Sequence, residues 1–213
     1  MPTTEAEITP GRPEDAAEIP DLVHSTAPAV YDYLFARSRP FFDHFVRASW
    51  GTPGSLCPHD QTSVVRAEGR VLGIEVGYGS GAFYETGRVG AQVMAGLLQR
   101  GEATVDQARH AGRASYKNDF QLPRMAADAY YVLALANRPE ARGRGVGRQL
   151  LQHAIDGARE QGYRTLHLDV LSDNPAVGFY ERMGFTCMAE TRCPELNEKE
   201  GIPMEKRMVL SLR

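Results

Sequence analysis

The feature that most constrains this chain lies in its second half. Ala129 to Ala136 (Ala-Tyr-Tyr-Val-Leu-Ala-Leu-Ala) is a nearly continuous apolar run, the pattern of a central strand buried on both faces. Asn137-Arg138-Pro139-Glu140-Ala141 ends it. Val146, Leu150, Leu151, Ala154, Ile155 and Ala158 then share one helical stripe, and Gly162 suits the helix end. Leu166, Leu168 and Val170 alternate as a further strand. Strand, helix and strand in that order make a right-handed crossover between parallel strands, so the fold class is α/β.

The first half adds antiparallel structure. Ala6 to Thr9 alternates weakly as a short strand, and Pro10 to Asp15 supplies turn residues followed by acids that suit a helix start. Ala16, Ile19, Leu22 and Val23 lie at helical spacing, with Pro20 expected to kink or divide the helix. Val30 to Trp50, rich in Tyr and Phe, reads as more helix, and Gly51 to Asp60 as a loop. Ser63 to Ala67 and Arg70 to Val76 flank Glu68-Gly69 as a hairpin. Gly77, Gly79, Gly81 and Gly87 then break the pattern. Val89, Val93, Met94, Leu97 and Leu98 fit one helical face, and Ala103 to Tyr116 another helix.

Composition excludes several classes. With 24 Lys+Arg against 27 Asp+Glu, the net charge of −3 argues against a general nucleic-acid binder. No stretch approaches the roughly 18 apolar residues of a membrane span, and Met1 to Pro10 has no apolar core of a secretory leader. Cys57, Cys187 and Cys193 are an odd number without paired spacing, which points to a reducing compartment and a cytoplasmic location. Cys57-Pro58-His59 has no second ligand pair, so no metal site is expected. At 213 residues the chain reads as one domain, 1–213.

Chemistry concentrates at Arg142-Gly143-Arg144-Gly145-Val146-Gly147-Arg148, the junction between the apolar strand and its helix. Glycines there let the backbone turn, and the N–H groups of the helix start favour a phosphate or pyrophosphate. Arginine adds forked, charged donors. Only Lys117, Lys199 and Lys206 among the basic residues are Lys, and four Arg fall between Arg138 and Arg148. The dinucleotide pattern G-x-G-x-x-G fails, because its last position is Arg148 or Leu150; a Walker loop fails for want of Gly-Lys.

Arg142-x-x-Gly145-x-Gly147 after a long apolar strand resembles the acetyl-CoA pyrophosphate loop, Q/R-x-x-G-x-G/A, of the GNAT superfamily of N-acyltransferases. Asn174-Pro175-Ala176 through Tyr180 to Gly184-Phe185 is similar, with one residue fewer between its Asn and Ala, to that family's N-x-x-A-x-x-x-Y-x-x-x-G-F signature, and Arg12 to Ala16 looks like the start of its first helix. The resemblance implies a mixed sheet with helices on both faces and a splayed parallel strand pair. It implies acetyl-CoA as cosubstrate and direct acetyl transfer to the primary amine of a small-molecule or peptide acceptor. By the same resemblance, backbone groups at Leu135, Ala136 and Asn137 bind pantetheine and the thioester carbonyl. The loop Arg142, Gly143, Arg144, Gly145, Val146, Gly147 and Arg148 holds the pyrophosphate, Asn174 contacts the pantetheine arm, and Tyr180 protonates the leaving thiolate. Cys187 and Cys193 follow the signature helix, which disfavours an acyl-enzyme.

One position departs from the family pattern. Many members carry a Glu on the central strand where this chain has Tyr131, and a Tyr with a pKa near 10 is a poor base. Asp128 and Glu75 are alternative carboxylates; His44, His167 and Asp169 are weaker candidates, and a structural hydrogen bond is expected of His167 and Asp169, which share a strand face. The missing Glu keeps a second reading open, an acyl-CoA sensor without catalysis. A third, an interaction domain that has lost the cofactor, is disfavoured by the intact loop glycines and Tyr180. The segment from about 79 to 123 is a helical insertion that either covers the acceptor groove with Tyr31 to Phe45 or forms a packing or homodimer surface.

Overall fold

Residues 7–213 are described by the computed structural model, and Ala6, expected at the head of the first strand, lies outside them. The strands are β1 (Glu7–Pro10), β2 (Thr62–Ala67), β3 (Arg70–Gly79), β4 (Ala129–Asn137), β5 (Thr165–Leu171), β6 (Thr186–Thr191) and β7 (Glu205–Ser211). They form one sheet in the order β1-β2-β3-β4-β5-β7-β6. Every neighbouring pair is antiparallel except β4 and β5. The helices are α1 (Ile19–Thr26), α2 (Pro28–Leu34), α3 (Arg39–Trp50), α4 (Ser80–Arg100), α5 (Val105–Asp119), α6 (Val146–Glu160) and α7 (Ala176–Arg182). Among the described residues no helix is long and apolar enough to cross a membrane.

Proline sets the helix starts in the N-terminal region. Pro20, Pro28 and Pro40 each sit in a first turn, where a missing N–H leaves no bond unmade. Pro20 therefore opens α1 instead of kinking it. The aromatic stretch expected as continuous helix is parted between α2 and α3, where Ala36 and Arg37 take φ of 53° and 55°. The hairpin forms as expected, turning at Glu68 (φ 51°) and Gly69 (φ 76°), both left-handed as a two-residue turn requires.

The glycines after Val76 do not end the strand. β3 runs to Gly79 and passes directly into α4 at Ser80. Gly77 and Gly79 are needed there for space, because the rings of Tyr130 and Tyr163 occupy the places a Cβ would take. The helix starts well before the first periodic apolar residue, Val89, because Ser80 to Arg88 contributes only a sparse apolar face. α5 is opened by a reciprocal cap: Thr104 Oγ1 accepts from Gln107 N (3.2 Å), and Gln107 Oε1 accepts from Thr104 N (2.9 Å).

The decisive irregularity is in β4. Val76 pairs with Ala134 but Gly77 with Val132, so Leu133 is an extra residue opposite β3. A bulge bends its strand, and the bend is visible on the other side of β4. Parallel pairing with β5 runs from Ala129↔Thr165 to Val132↔Leu168 and stops there, although β4 continues to Asn137 and β5 to Leu171. The two central strands splay from this point. The strand is accordingly buried residue by residue in alternation rather than on both faces along its length.

Each face of the sheet has its own core. Against one face pack Ile19, Phe41, Phe42, Trp50, Ile74, Val76 and Leu97 from α1, α3, β3 and α4. Against the other, Leu151, Ile155 and Tyr180 of α6 and α7 meet Val132, Leu166, Leu168 and Met208.

Candidate active site

A cavity of about 1850 Å³ passes along the splay and is lined from both faces of the sheet. Ligand pockets commonly hold roughly 300–1,000 Å³, so this one has room for two reactants. Eleven of the twelve residues expected to bind a cofactor line it: Leu135, Ala136, Asn137, Arg142, Gly143, Gly145, Val146, Gly147, Arg148, Asn174 and Tyr180. Arg144 does not; it is exposed on the outer side of the loop.

The loop has the geometry its sequence suggests. Gly143 (φ 73°) and Gly145 (φ 83°) are left-handed, and Gly145 is the residue from which α6 starts. The N–H groups of Val146, Gly147 and Arg148 fall in the first turn, where a helix offers no acceptor of its own. Asn137 takes one of them: its amide accepts from Gly147 N (3.1 Å) and donates to Ala136 O (3.0 Å). It thereby ties the end of β4 to the start of α6. Arg142 and Arg148 are exposed beside these amides, so the junction fits a pyrophosphate. Arg138 is different. Its Nε donates to Val71 O (2.6 Å) and its Nη2 to Glu18 Oε2 (2.7 Å), which makes it a structural clamp between α1 and β3 rather than part of the anion site.

Asn174 and Tyr180 approach from the α7 side. Asn174 lines the cavity; its Oδ1 accepts from Ala176 N (2.9 Å), the first residue of α7, and its Nδ2 makes no hydrogen bond to protein among the described residues. Tyr180 is buried against Phe179 and Phe185, and desolvation pushes its hydroxyl up to about 12. It holds its proton at neutral pH, as a donor must.

The opposite wall contains what the sequence reading left open. Tyr131 is buried, its pKa raised far above the ordinary value by burial, and its hydroxyl donates to Asp169 Oδ2 (3.0 Å). Arg207 holds Asp169 with two bonds, Nε to Oδ1 (2.6 Å) and Nη2 to Oδ2 (2.7 Å), and lies over the Tyr131 ring at 5.5 Å. Tyr131 and Asp169 are thus committed to each other and to Arg207. His167 bonds Thr165 Oγ1 (3.0 Å), not Asp169; its pKa is lowered to about 4 by burial first and by Arg207 second, and it does not line the cavity.

The other expected carboxylates also fall away from the site. Asp128 is exposed at the closed end of the β4–β5 pair, 3.7 Å from Arg164. Glu75 is buried on the α6 side of β3, near Tyr130, outside the cavity lining. His44 Nδ1 faces the Glu102 carbonyl at 3.3 Å.

Glu205, absent from the sequence reading, is inside. The register pairs it with Leu171, on the same sheet face as Tyr131, Asp169 and Arg207. It is 7% exposed, lines the cavity, and its Oε2 has no hydrogen-bond partner. Burial, with Asp169 adding to it and Arg207 opposing, raises its pKa from an ordinary 4.5 to about 8. The available signal was the alternation Glu205-Lys206-Arg207-Met208 in the last strand, which puts two charges on a buried face; neither β6 nor β7 was read as a strand from sequence.

Residues 94–185 match the Acetyltransferase (GNAT) family. A streptothricin acetyltransferase of Streptomyces lavendulae is 52% identical over 48 residues, 22% of this chain and 25% of that one. A [ribosomal protein bS18]-alanine N-acetyltransferase of Salmonella typhimurium is 36% identical over 67 residues, 31% of this chain and 45% of the relative. The chain thus spans less than half the length of these curated relatives. A crystal structure of an N-acetyltransferase from Staphylococcus aureus Mu50 superposes with a TM-score of 0.73 at 16% identity, covering 96% of this chain and all of that one (100%).

Proposed function

From the match of residues 94–185 to the GNAT family and from the geometry of the cavity, we propose that the chain is a GNAT-type, acetyl-CoA-dependent N-acetyltransferase acting on a primary amine by direct transfer. One observation carries the reading: a single cavity connects the anion-binding start of α6 with Tyr180 on one sheet face and with Glu205 on the other, through the gap between β4 and β5. The thioester supplies the acetyl group. Residues 142–148, apart from Arg144, hold the pyrophosphate with amides and two arginines, and the free edge of β4 from Leu135 to Asn137 offers backbone groups to the pantetheine arm and the carbonyl oxygen. An oriented amide at such an oxygen is typically worth a few kcal/mol in the transition state. Tyr180 donates its proton to the departing sulfur, and Asn174 Nδ2 steadies the arm.

The chain acts as one domain, with α4 and α5 inserted between β3 and β4 as the acceptor wall. Free Cys57, Cys187 and Cys193 fit a reducing, cytoplasmic setting. The sensor reading drew its support from Tyr131, and a buried acid in the cavity removes that support. Calorimetry with acetyl-CoA, followed by free-thiol release with a panel of amines, tests the reading. Micromolar binding with amine-dependent thiol release is expected. Binding without release from any amine returns the sensor, and no binding ends both.

A further inference from the structure

The α2–α4–α5 side of the cavity has its own chemistry. Its inner wall is aromatic, with Tyr31, Phe35, Phe45 and Phe83, and Phe83 lies 4.6 Å from the Tyr131 ring centre. Among the positions of α4 and α5 that line the cavity, beside the larger Met94 and Leu98, are small ones at helical spacing: Gly87 and Ala91 on the first, Ala108 and Gly112 on the second. Nothing lies within 4 Å of a Cβ placed at Gly87 or Gly112, so these helices bound open space instead of filling it. Inside this apolar space Glu205 is the buried acid with an unpartnered oxygen, since Asp169 is chelated by Arg207 and Tyr131. Asp119 and Asp173 are exposed at the rim, and at the mouth Arg124 lies 5.8 Å over the Tyr84 ring.

We propose that this side of the cavity binds the acceptor as a monoamine carried on a hydrophobic body, and that Glu205 receives the ammonium group and takes a proton from it. The proposal rests on the acetyltransferase reading above. An apolar wall rewards alkyl or aromatic surface. Glu205, the buried cavity acid not claimed by an arginine, fits a single ammonium, and Arg124 at the mouth disfavours a second positive charge, while Asp119 and Asp173 lie on the exposed rim, where solvent screens them.

The proton inventory closes. Glu205 Oε2 accepts one ammonium proton, and the freed lone pair forms the C–N bond at the thioester carbonyl. As the C–S bond breaks, the Tyr180 hydroxyl protonates the sulfur, and the second nitrogen proton restores Tyr180. Amide and thiol leave, and the proton on Glu205 returns to solvent. The groups facing Glu205 are Asp169 from β5, Arg207 from its own strand, Tyr131 from β4 and Tyr31 from α2. Burial first, with Asp169 adding to it and Arg207 opposing, raises its pKa to about 8, which makes the carboxylate a far better base than an ordinary one.

The experiment measures thiol release from acetyl-CoA with 2-phenylethylamine, n-hexylamine and spermidine, alongside acetyl-CoA affinity by calorimetry. For the native chain, kcat/KM for the two apolar amines is expected to exceed that for spermidine by at least about tenfold. Gly112→Leu, directed into open space, raises KM for the apolar amines at least about threefold with acetyl-CoA affinity unchanged. Glu205→Gln lowers kcat about 100-fold and abolishes the rise of rate through pH 8. Spermidine as the best acceptor overturns the proposal and leaves the acetyltransferase reading standing. So does a Glu205→Gln protein with native kcat and pH profile. Acetyl-CoA binding without thiol release from either apolar amine also overturns it, and failure of acetyl-CoA to bind overturns the reading and the proposal together.

Discussion

The two faces of the central sheet each bury one glutamate with an unpartnered oxygen and a pKa raised to about 8 by desolvation, yet only one of them meets the cavity. Glu75, on the α6 side, sits among Ser63, Gly77 and Tyr130 and touches no open space. Glu205, on the other side, faces a volume large enough for a ligand. A perturbed carboxyl is therefore no sign of function by itself; what it faces decides. The faces differ in construction too. The α6–α7 side is assembled from one continuous stretch, strand to loop to helix to strand to helix. The other draws Tyr31, Phe83, Gly112, Tyr131 and Glu205 from five separate elements.

The largest expected effect separates the two glutamates. The unfolded chain loses the Glu75 proton near pH 4.5, whereas the native chain keeps it to about 8. The native state thus binds more protons, and stability falls as pH rises through that window, by on the order of 4 kcal/mol in full. Glu205 adds a slope of the same sign, so Glu75→Gln should remove about half of the stability difference between urea melts at pH 5 and pH 8 while kcat stays native. A lost kcat would return Glu75 to the site and collapse the contrast.

Tyr180→Phe tests the α7 side. It removes a hydroxyl and little packing, so kcat should drop about 100-fold, roughly 2.7 kcal/mol, with acetyl-CoA affinity preserved. An equal loss of affinity and rate would make Tyr180 a binding residue.

Gly145→Ala asks whether the loop acts through its backbone. At φ 83° a Cβ costs roughly 1–2 kcal/mol, and calorimetry should show acetyl-CoA binding weakened about tenfold with the amine KM unchanged. A native affinity would shift the weight of anion binding to Arg142 and Arg148.

The smallest effect belongs to the acceptor wall. Gly112→Ala in α5 meets open space and should raise stability by about 0.5–1 kcal/mol through helix propensity, seen as a higher Tm, without altering acetyl-CoA affinity. A lower Tm would mean that α5 packs more closely than its open face implies.

What the sequence carried by itself is the part governed by local rules. The β4–α6–β5 crossover follows from periodicity, because apolar spacing of 2 and 3.6 is a property of contiguous residues. The anion loop follows from glycines that permit a positive φ and from a helix start that frees its amides, again within seven residues. The helix after Asn174 was readable through its resemblance to the family signature, and it forms over Ala176–Arg182 with Tyr180 buried.

The tertiary structure decided the rest, and the reason is that burial and partnership are long-range. The splay depends on an extra residue, Leu133, that is defined only by its pairing with β3. Arg138 looks like its loop neighbours in sequence but is claimed by Glu18, 120 positions away. Tyr131 at the usual Glu position suggested a missing base, whereas β7, arriving between β5 and β6, brings Glu205 to the same sheet face. Whether a carboxyl is a solvated surface charge or a proton-holding group in a cavity depends on which strands close around it, and no local pattern encodes that.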